Sequence, residues 1–149
     1  MNNPYVRAAA EADIAYLLAA GLREADRLEL DASGISEEEG LAGSFAATPD
    51  CKTVVFDGRP VAMFGAAPVE GSRVGIVWFL GTAEMTNIST RFLRESKRWL
   101  EKISADYDLL TNVVHQTNKL HIRWLRWLGF VFLSRRHGPF IEFARISNV

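Results

Sequence analysis

Apolar residues early in the chain repeat at helical spacing. Ile14, Leu17, Leu18, Leu22, Ala25 and Leu28 fall at offsets 0, 3, 4, 8, 11 and 14, which is one face of a helix. Gly21 interrupts the run, so the pattern predicts two helices. The second, Arg23–Leu30, carries its charges on the open side and ends at Asp31-Ala32-Ser33-Gly34. A short strand over Tyr5-Val6-Arg7 precedes them. Ser36 followed by Glu37-Glu38-Glu39 predicts an N-cap, an acidic first turn and a short helix toward Phe45. The period then changes. Lys52–Phe56 is a β-branched and aromatic run, Asp57-Gly58 is a two-residue hairpin signal, and Pro60–Phe64 is the returning strand. Gly65–Gly71 reads as a loop, and Val74–Leu80 as a strand apolar enough for burial on both faces.

Gly81–Asn87 connects this strand to a helix predicted over Ile88–Ser104. Its expected buried stripe is Phe92, Leu93, Trp99, Leu100 and Ile103, with Arg91, Arg94, Lys97 and Arg98 more exposed. Leu109–His115 is the next strand. Asn118 caps a helix over Lys119–Leu128 that Gly129 stops. Phe130–Arg135 and Phe140–Ile146 form a last hairpin across His137-Gly138-Pro139. The order is β-α-α-β-β-β-α-β-α-β-β. The single long crossover helix makes the strands it joins parallel, and the remaining strands pair mostly antiparallel. The expected class is α/β (α+β): one domain over residues 1–149 with a central mixed, mostly antiparallel sheet flanked by helices.

Length and composition fit this picture. The chain has 149 residues and 48% hydrophobic content, enough for one sizeable core. Val74–Leu80 is too short to span a bilayer, and Met1–Tyr5 lacks the basic and apolar regions of a secretory signal. The expected location is therefore cytosolic, or a particle packaged from the cytosol. A lone cysteine, Cys51, permits no internal disulfide and no thiol pair for a metal. It is read as a small half-buried residue entering a strand. No His, Cys, Asp and Glu spacing suggests a metal site, and no nucleophile elbow is present. Net charge is −1 but divides unevenly: residues 1–72 carry 5 basic and 12 acidic residues (−7), residues 73–149 carry 12 and 6 (+6). Such a division suits binding to a partner or to a second copy, and also suits acidic surface helices that happen to come early.

The element order, with Asn118 eleven residues before Leu128-Gly129-Phe130, resembles the GNAT superfamily of acyl-CoA-dependent N-acyltransferases across essentially the whole chain. The resemblance implies that the Val74–Leu80 strand and the helix after it face acetyl-CoA. It also implies that Phe79, Leu80, Gly81 and Thr82 lie along the cofactor, and that Asn118 touches its pantetheine arm. Two family elements are missing. The pyrophosphate loop should read Gln/Arg-x-x-Gly-x-Gly/Ala, whose backbone N–H groups grip phosphates at a helix N-terminus. Gly81-Thr82-Ala83-Glu84-Met85-Thr86-Asn87-Ile88-Ser89-Thr90 offers only Gly81, and Glu84 adds a negative charge. The family's general-acid tyrosine falls at Leu125, which has no proton to give.

A closer resemblance lies in Tyr107-Asp108-Leu109-Leu110-Thr111-Asn112-Val113-Val114 and in Asn118-Lys119-Leu120-His121-Ile122-Arg123-Trp124-Leu125-Arg126-Trp127-Leu128-Gly129. These segments are similar to a GNAT-like internal virion protein family of short-tailed phages that encode their own RNA polymerase. Leu22–Leu30 and Asp57-Gly58-Arg59-Pro60 extend the likeness toward the N-terminus. It implies virion assembly or genome delivery through contacts with other phage virion proteins, with self-association open, no ordinary acetyl transfer, no membrane, and a place in the host cytoplasm or inside the particle. Two alternatives stand beside it: an N-acetyltransferase with a degenerate loop, in which backbone N–H groups near Phe79–Thr82 polarise the thioester, and a nucleic-acid-associated accessory protein using the basic C-terminal half.

Individual residues carry two explanations each. In the helix after Asn118, Arg123, Arg126 and Trp127 form a partner or nucleic-acid surface, while packing of Ile122, Leu125 and Leu128 explains the same pattern more simply. His115 is the weak candidate for a general base, with a structural histidine the simpler account. His137 reads as a turn residue. Asp26 and Glu29 read as an acidic substrate face, or more ordinarily as a solvated one.

Overall fold

A computed structural model describes residues 4–88 and 90–147. Ser89 and residues 1–3, 148 and 149 lie outside the described residues, as do the side chains of Thr86, Thr90, Arg91 and Phe92. The elements run β1 (Tyr5–Ala8), α1 (Glu11–Ala20), α2 (Glu24–Ala32), α3 (Glu37–Ala47), β2 (Lys52–Phe56), β3 (Arg59–Pro68), β4 (Val74–Gly81), a 3-10 turn (Ala83–Asn87), α4 (Thr90–Ser104), β5 (Leu109–His115), α5 (Lys119–Trp127), β6 (Val131–His137) and β7 (Phe140–Ile146). The sheet has seven strands in the order β1-β2-β3-β4-β5-β7-β6. The pairs β1–β2, β2–β3, β5–β7 and β6–β7 are antiparallel, and β4–β5 is parallel, as the crossover helix requires. The mixed, mostly antiparallel α+β class expected from the sequence is present. Three helices precede β2 rather than the two counted in the expected order.

The chain divides into two compact units. The first comprises Met1–Ala67 and Trp78–Arg94. Its interior holds one cluster around Leu17, Leu22, Leu41, Cys51 and Met63, joined by Trp78 and Leu80, and another around Val54, Val61, Ala62 and Ile88, joined by Phe79 and Met85. Successive side chains at the end of β4 thus enter different clusters, the period-2 alternation of a strand. The β2–β3 turn forms at Asp57 and Gly58 with φ of 55° and 73°, the left-handed pair that a tight hairpin demands. Ser36 caps α3, its hydroxyl accepting from the Glu39 N–H at 3.1 Å.

The second unit comprises Pro68–Val77 and Glu95–Val149. Its buried residues include Leu100, Leu110, Val114, Ile122, Leu125, Leu128, Phe130 and Phe143. Asn118 caps α5 as expected, accepting from the His121 N–H at 3.4 Å, and Gly129 ends it with φ of 96°.

Four expectations need correction. Leu28 is 54% exposed and Asp26 is the buried residue of α2. Residues 21–23 are not helical, so the phase of α1 is not carried into α2 and the offset of 14 has no meaning there. β3 continues through Gly65-Ala66-Ala67 to Pro68 where a loop was expected. Small residues serve close packing there, since a Cβ on Gly65 would lie 2.5 Å from the Thr48 methyl. β4 is half-buried along most of its length, not buried on both faces. In α4, Leu93 is exposed while Leu100 is buried and Trp99 and Ile103 are half-buried.

Candidate functional site

In the first unit, the end of β4 is where the sequence placed cofactor contacts. The short segment between α1 and α2 runs alongside it, with Leu22 bridged to Thr82 and the Arg23 N–H donating to the Gly81 carbonyl at 2.8 Å. Asp26, 3% exposed, reaches back so that Oδ2 accepts the Gly81 N–H at 2.9 Å. The same carboxylate holds Arg23 through Nε at 3.0 Å and Nη2 at 2.9 Å, a bidentate pair. Arg23 in turn lies 5.4 Å from the Phe79 ring centre, and Phe79 stacks on Phe64 at 6.1 Å. The Thr82 N–H donates to the Val61 carbonyl at 2.9 Å. The Gly81 and Thr82 N–H groups are therefore both engaged inside the chain. Asp26 is neither an acidic substrate face nor a solvated one.

No glycine nest follows. Ala83–Asn87 winds as a 3-10 turn, with the Met85 N–H bonded to the Thr82 carbonyl and the Ile88 N–H to that of Met85. Glu84 is paired with Arg59, whose Nη2 lies 2.9 and 2.8 Å from its two carboxylate oxygens. Gly81 has a packing reason to lack a side chain, since a Cβ would come within 2.9 Å of Met85 Cγ, 3.2 Å of the Ala62 Cβ and 3.3 Å of the Phe79 ring.

Cys51 precedes β2 and is 6% exposed. Burial, helped by the nearby Asp13 charge, pushes its thiol up to about 11. A thiolate is the reactive form, so native Cys51 is expected to alkylate with iodoacetamide at pH 8 roughly a hundredfold more slowly than a free cysteine. Mass spectrometry of timed samples checks this, and reaction at the free-thiol rate would contradict it.

In the second unit, the β4–β5 ladder pairs Val74–Ile76 with Leu109–Thr111. Beyond it, the Asn112 side-chain amide donates to the Val77 carbonyl at 2.7 Å, and its Oδ1 accepts the Val113 N–H at 2.7 Å. Asn112 thus replaces a ladder step with a side-chain clamp. His115 ends β5 beside Phe140, ring centres 5.4 Å apart. Its Nδ1 faces Thr117, accepting the backbone N–H at 3.2 Å with the hydroxyl at 2.8 Å. His137 is the last residue of β6 rather than part of the turn, and its Nε2 lies 3.0 Å from Glu142. Leu125, at the position of the family's acid, is 4% exposed.

On α5, Ile122, Leu125 and Leu128 are buried as packing required, and Arg123, Arg126 and Trp127 are exposed on the other side. Arg126 lies over the Phe132 ring at 5.2 Å and Lys97 over Trp127 at 4.3 Å. Among the described residues there is no group of three or more His, Cys, Asp and Glu side chains able to hold a metal, and no helix is long and apolar enough to cross a membrane.

Sequence reasoning missed the Asp26–Arg23–Gly81 network, the Arg59–Glu84 pair and the Asn112 clamp. The i, i+3 spacing of Arg23 and Asp26 was the available signal for the first, but nothing local marks Gly81 as its third member.

Comparison with solved structures defines the class. An acetyltransferase of the GNAT family from Streptococcus pneumoniae matches 98% of this chain and 100% of its own at 14% identity, with a TM-score of 0.62. Ard1 from Thermoplasma volcanium covers 97% of each chain at 12% identity and a TM-score of 0.68. PaiA N-acetyltransferase from Thermoplasma acidophilum, solved in complex with coenzyme A, covers 97% of this chain and 99% of its own at 14% identity and 0.68. The fold is that of the GNAT acetyltransferases. Within that fold, residues 53–136 match the family of the bacteriophage T7 probable scaffold protein Gp13, and the chain belongs to this family. The probable scaffold protein gp13 of Escherichia phage T7 is 29% identical over 125 residues, 80% of this chain and 82% of that protein.

Proposed function

We propose that the protein works in phage particle assembly through protein contacts, using a GNAT fold without ordinary acetyl transfer. Its partners are other virion proteins, and it acts in the host cytoplasm or is packaged from it. The observation that carries this reading is the engagement of the β4 end by the chain itself: Asp26 holds the Gly81 N–H and the Val61 carbonyl holds that of Thr82. A thioester carbonyl polarised by the Gly81 N–H would have to displace a buried carboxylate. The 3-10 turn over Ala83–Asn87 and Leu125 in place of a tyrosine support it further, because the one presents phosphates with no glycine nest of N–H groups and the other cannot protonate a leaving thiolate. Membership in a family described as a probable scaffold protein supports the assembly role.

Calorimetric titration with acetyl-CoA, then with coenzyme A, tests it. No heat of binding is expected up to millimolar ligand. Micromolar binding, or acetylation of any amine, would overturn the reading and return Phe79, Leu80, Gly81, Thr82 and Asn118 to the role of cofactor contacts. The fold likeness and the Asn118 cap of α5 are what favour that second possibility.

A further inference from the structure

The outer face of α5 is chemically the complement of a groove lined by α2, the turn after it and Glu37 at the start of α3 (the α2–α3 groove). Lys119, Leu120, Arg123, Arg126 and Trp127 are all exposed, with Leu120 at 66% and Trp127 at 42%. At 100° per residue these five positions fall within an arc of about 120°, so three cations and two large apolar groups make one continuous stripe. Leucine at such exposure is not explained by packing within its own unit, and Trp127 keeps much of its ring open although Lys97 lies over it. The α2–α3 groove is open and about 460 Å³ in volume. Leu28 and Ile35 are its exposed apolar residues, at 54% and 42%, and Glu24, Asp31 and Glu37 line it, with Arg27 the one opposing charge. Glu24, Asp31 and Glu37 form no ion pair among the described residues.

We infer that the α2–α3 groove of one copy receives the α5 stripe of a second copy. A helix with a basic and apolar face suits a groove lined by apolar and acidic residues, and the charges of the two halves of the sequence, −7 and +6, favour the same encounter over long range. The contact joins unlike surfaces, so a pair made through one such contact keeps an unused stripe on one copy and an unused groove on the other, and association either closes or continues to further copies. A nine-residue helix is roughly 13 Å long, so the interface is small and the association weak and salt-dependent. This inference rests on the protein-contact reading above and names one of the contacts.

Sedimentation velocity on the full chain tests it. In about 50 mM salt the weight-average sedimentation coefficient should rise as the protein goes from roughly 5 to 200 μM, and in 500 mM salt the rise should disappear. Two doubly substituted chains separate the faces: Arg123→Glu with Arg126→Glu, and Leu28→Arg with Asp31→Lys. All four positions are exposed, so each variant should keep the circular dichroism and melting temperature of the parent. Each alone should stay monomeric, and mixing the two should restore association, because one retains a groove and the other a stripe. A chain monomeric at every concentration and salt, association unaffected by either pair of substitutions, or no recovery on mixing would overturn the inference. Loss of nucleic-acid binding by the Arg123→Glu/Arg126→Glu chain, without any self-association of the parent, would also overturn it. A monomer that still captures virion proteins removes this contact alone, whereas turnover of acetyl-CoA removes the reading beneath it.

Discussion

Replacing Asp26 with alanine should be strongly destabilising. The carboxylate is almost fully enclosed and accepts three hydrogen bonds, two from Arg23 and one from the Gly81 N–H. Its removal leaves the buried Gly81 N–H without a partner and Arg23 without its counter-charge. Arg23 retains access to water and its place over Phe79, which softens the loss. A cost of about 2–4 kcal/mol follows from an unsatisfied buried donor together with a broken, mostly buried pair. The melting temperature should fall by roughly 6–12 °C in a chain of this size. Asp26→Asn keeps one acceptor for Gly81 and should cost less. Urea unfolding with two optical probes checks both. It also bears on residues 1–149 as a single domain, which we propose because the chain passes between the two units at three points, after Ala67, Val77 and Arg94. One shared transition is expected. An Asp26→Ala chain as stable as the parent would remove the network from any structural role, and two separate transitions would remove the single domain.

The second large effect belongs to Asp13 and shows itself in acid. Asp13 is 4% exposed. It accepts from Arg7 at 2.8 and 2.9 Å, from the Ala10 N–H at 2.9 Å and from the fully buried Thr53 hydroxyl at 2.8 Å. Burial pushes this carboxyl up, but the hydrogen bonds from Arg7, Ala10 and Thr53 outweigh it and hold the group below the usual carboxylate range. The folded value therefore lies under the unfolded value of about 3.9. Stability from this difference is complete above the unfolded value and is lost as pH falls through the folded one. Asp13→Asn should flatten the decline of stability below about pH 4 while leaving the slope between pH 6 and 8 unchanged. Asp13→Ala should add a cost of about 2–4 kcal/mol at neutral pH by stranding the Ala10 N–H and the Thr53 hydroxyl. Unfolding free energies measured from pH 2 to 8 decide it, and an acid limb identical in the parent and Asp13→Asn would place the sensitive group elsewhere.

What could be read in the sequence was what is local. The Asp57-Gly58 turn, the Ser36 and Asn118 caps and the stop at Gly129 each depend on a few neighbours, and all formed where expected. The i, i+3 stripe of α5 was legible because one continuous helix keeps its phase. Errors arose where phase or partners come from afar. Leu28 was placed inward by carrying the α1 register across Gly21, where the helix is broken. Asp26 looked like solvated charge because its second partner, Gly81, is 55 residues away. The missing glycine nest at Ala83–Asn87 was visible as an absence, but the occupant of the strand end was not, and neither was the Arg59 that neutralises Glu84 from 25 residues upstream.

The distances in sequence also set an order in time. The β2–β3 turn closes across two residues, and the Asp26–Gly81 bond closes across 55. Loop-closure entropy rises with the logarithm of that separation, and the longer closure gains its reward only after β3 and β4 have found their places. The carboxylate that ends most enclosed is thus expected to be among the last groups to find its partners. Its substitution should appear in stopped-flow measurements as faster unfolding with little change in refolding, while a bulky residue at Gly58 should slow refolding itself.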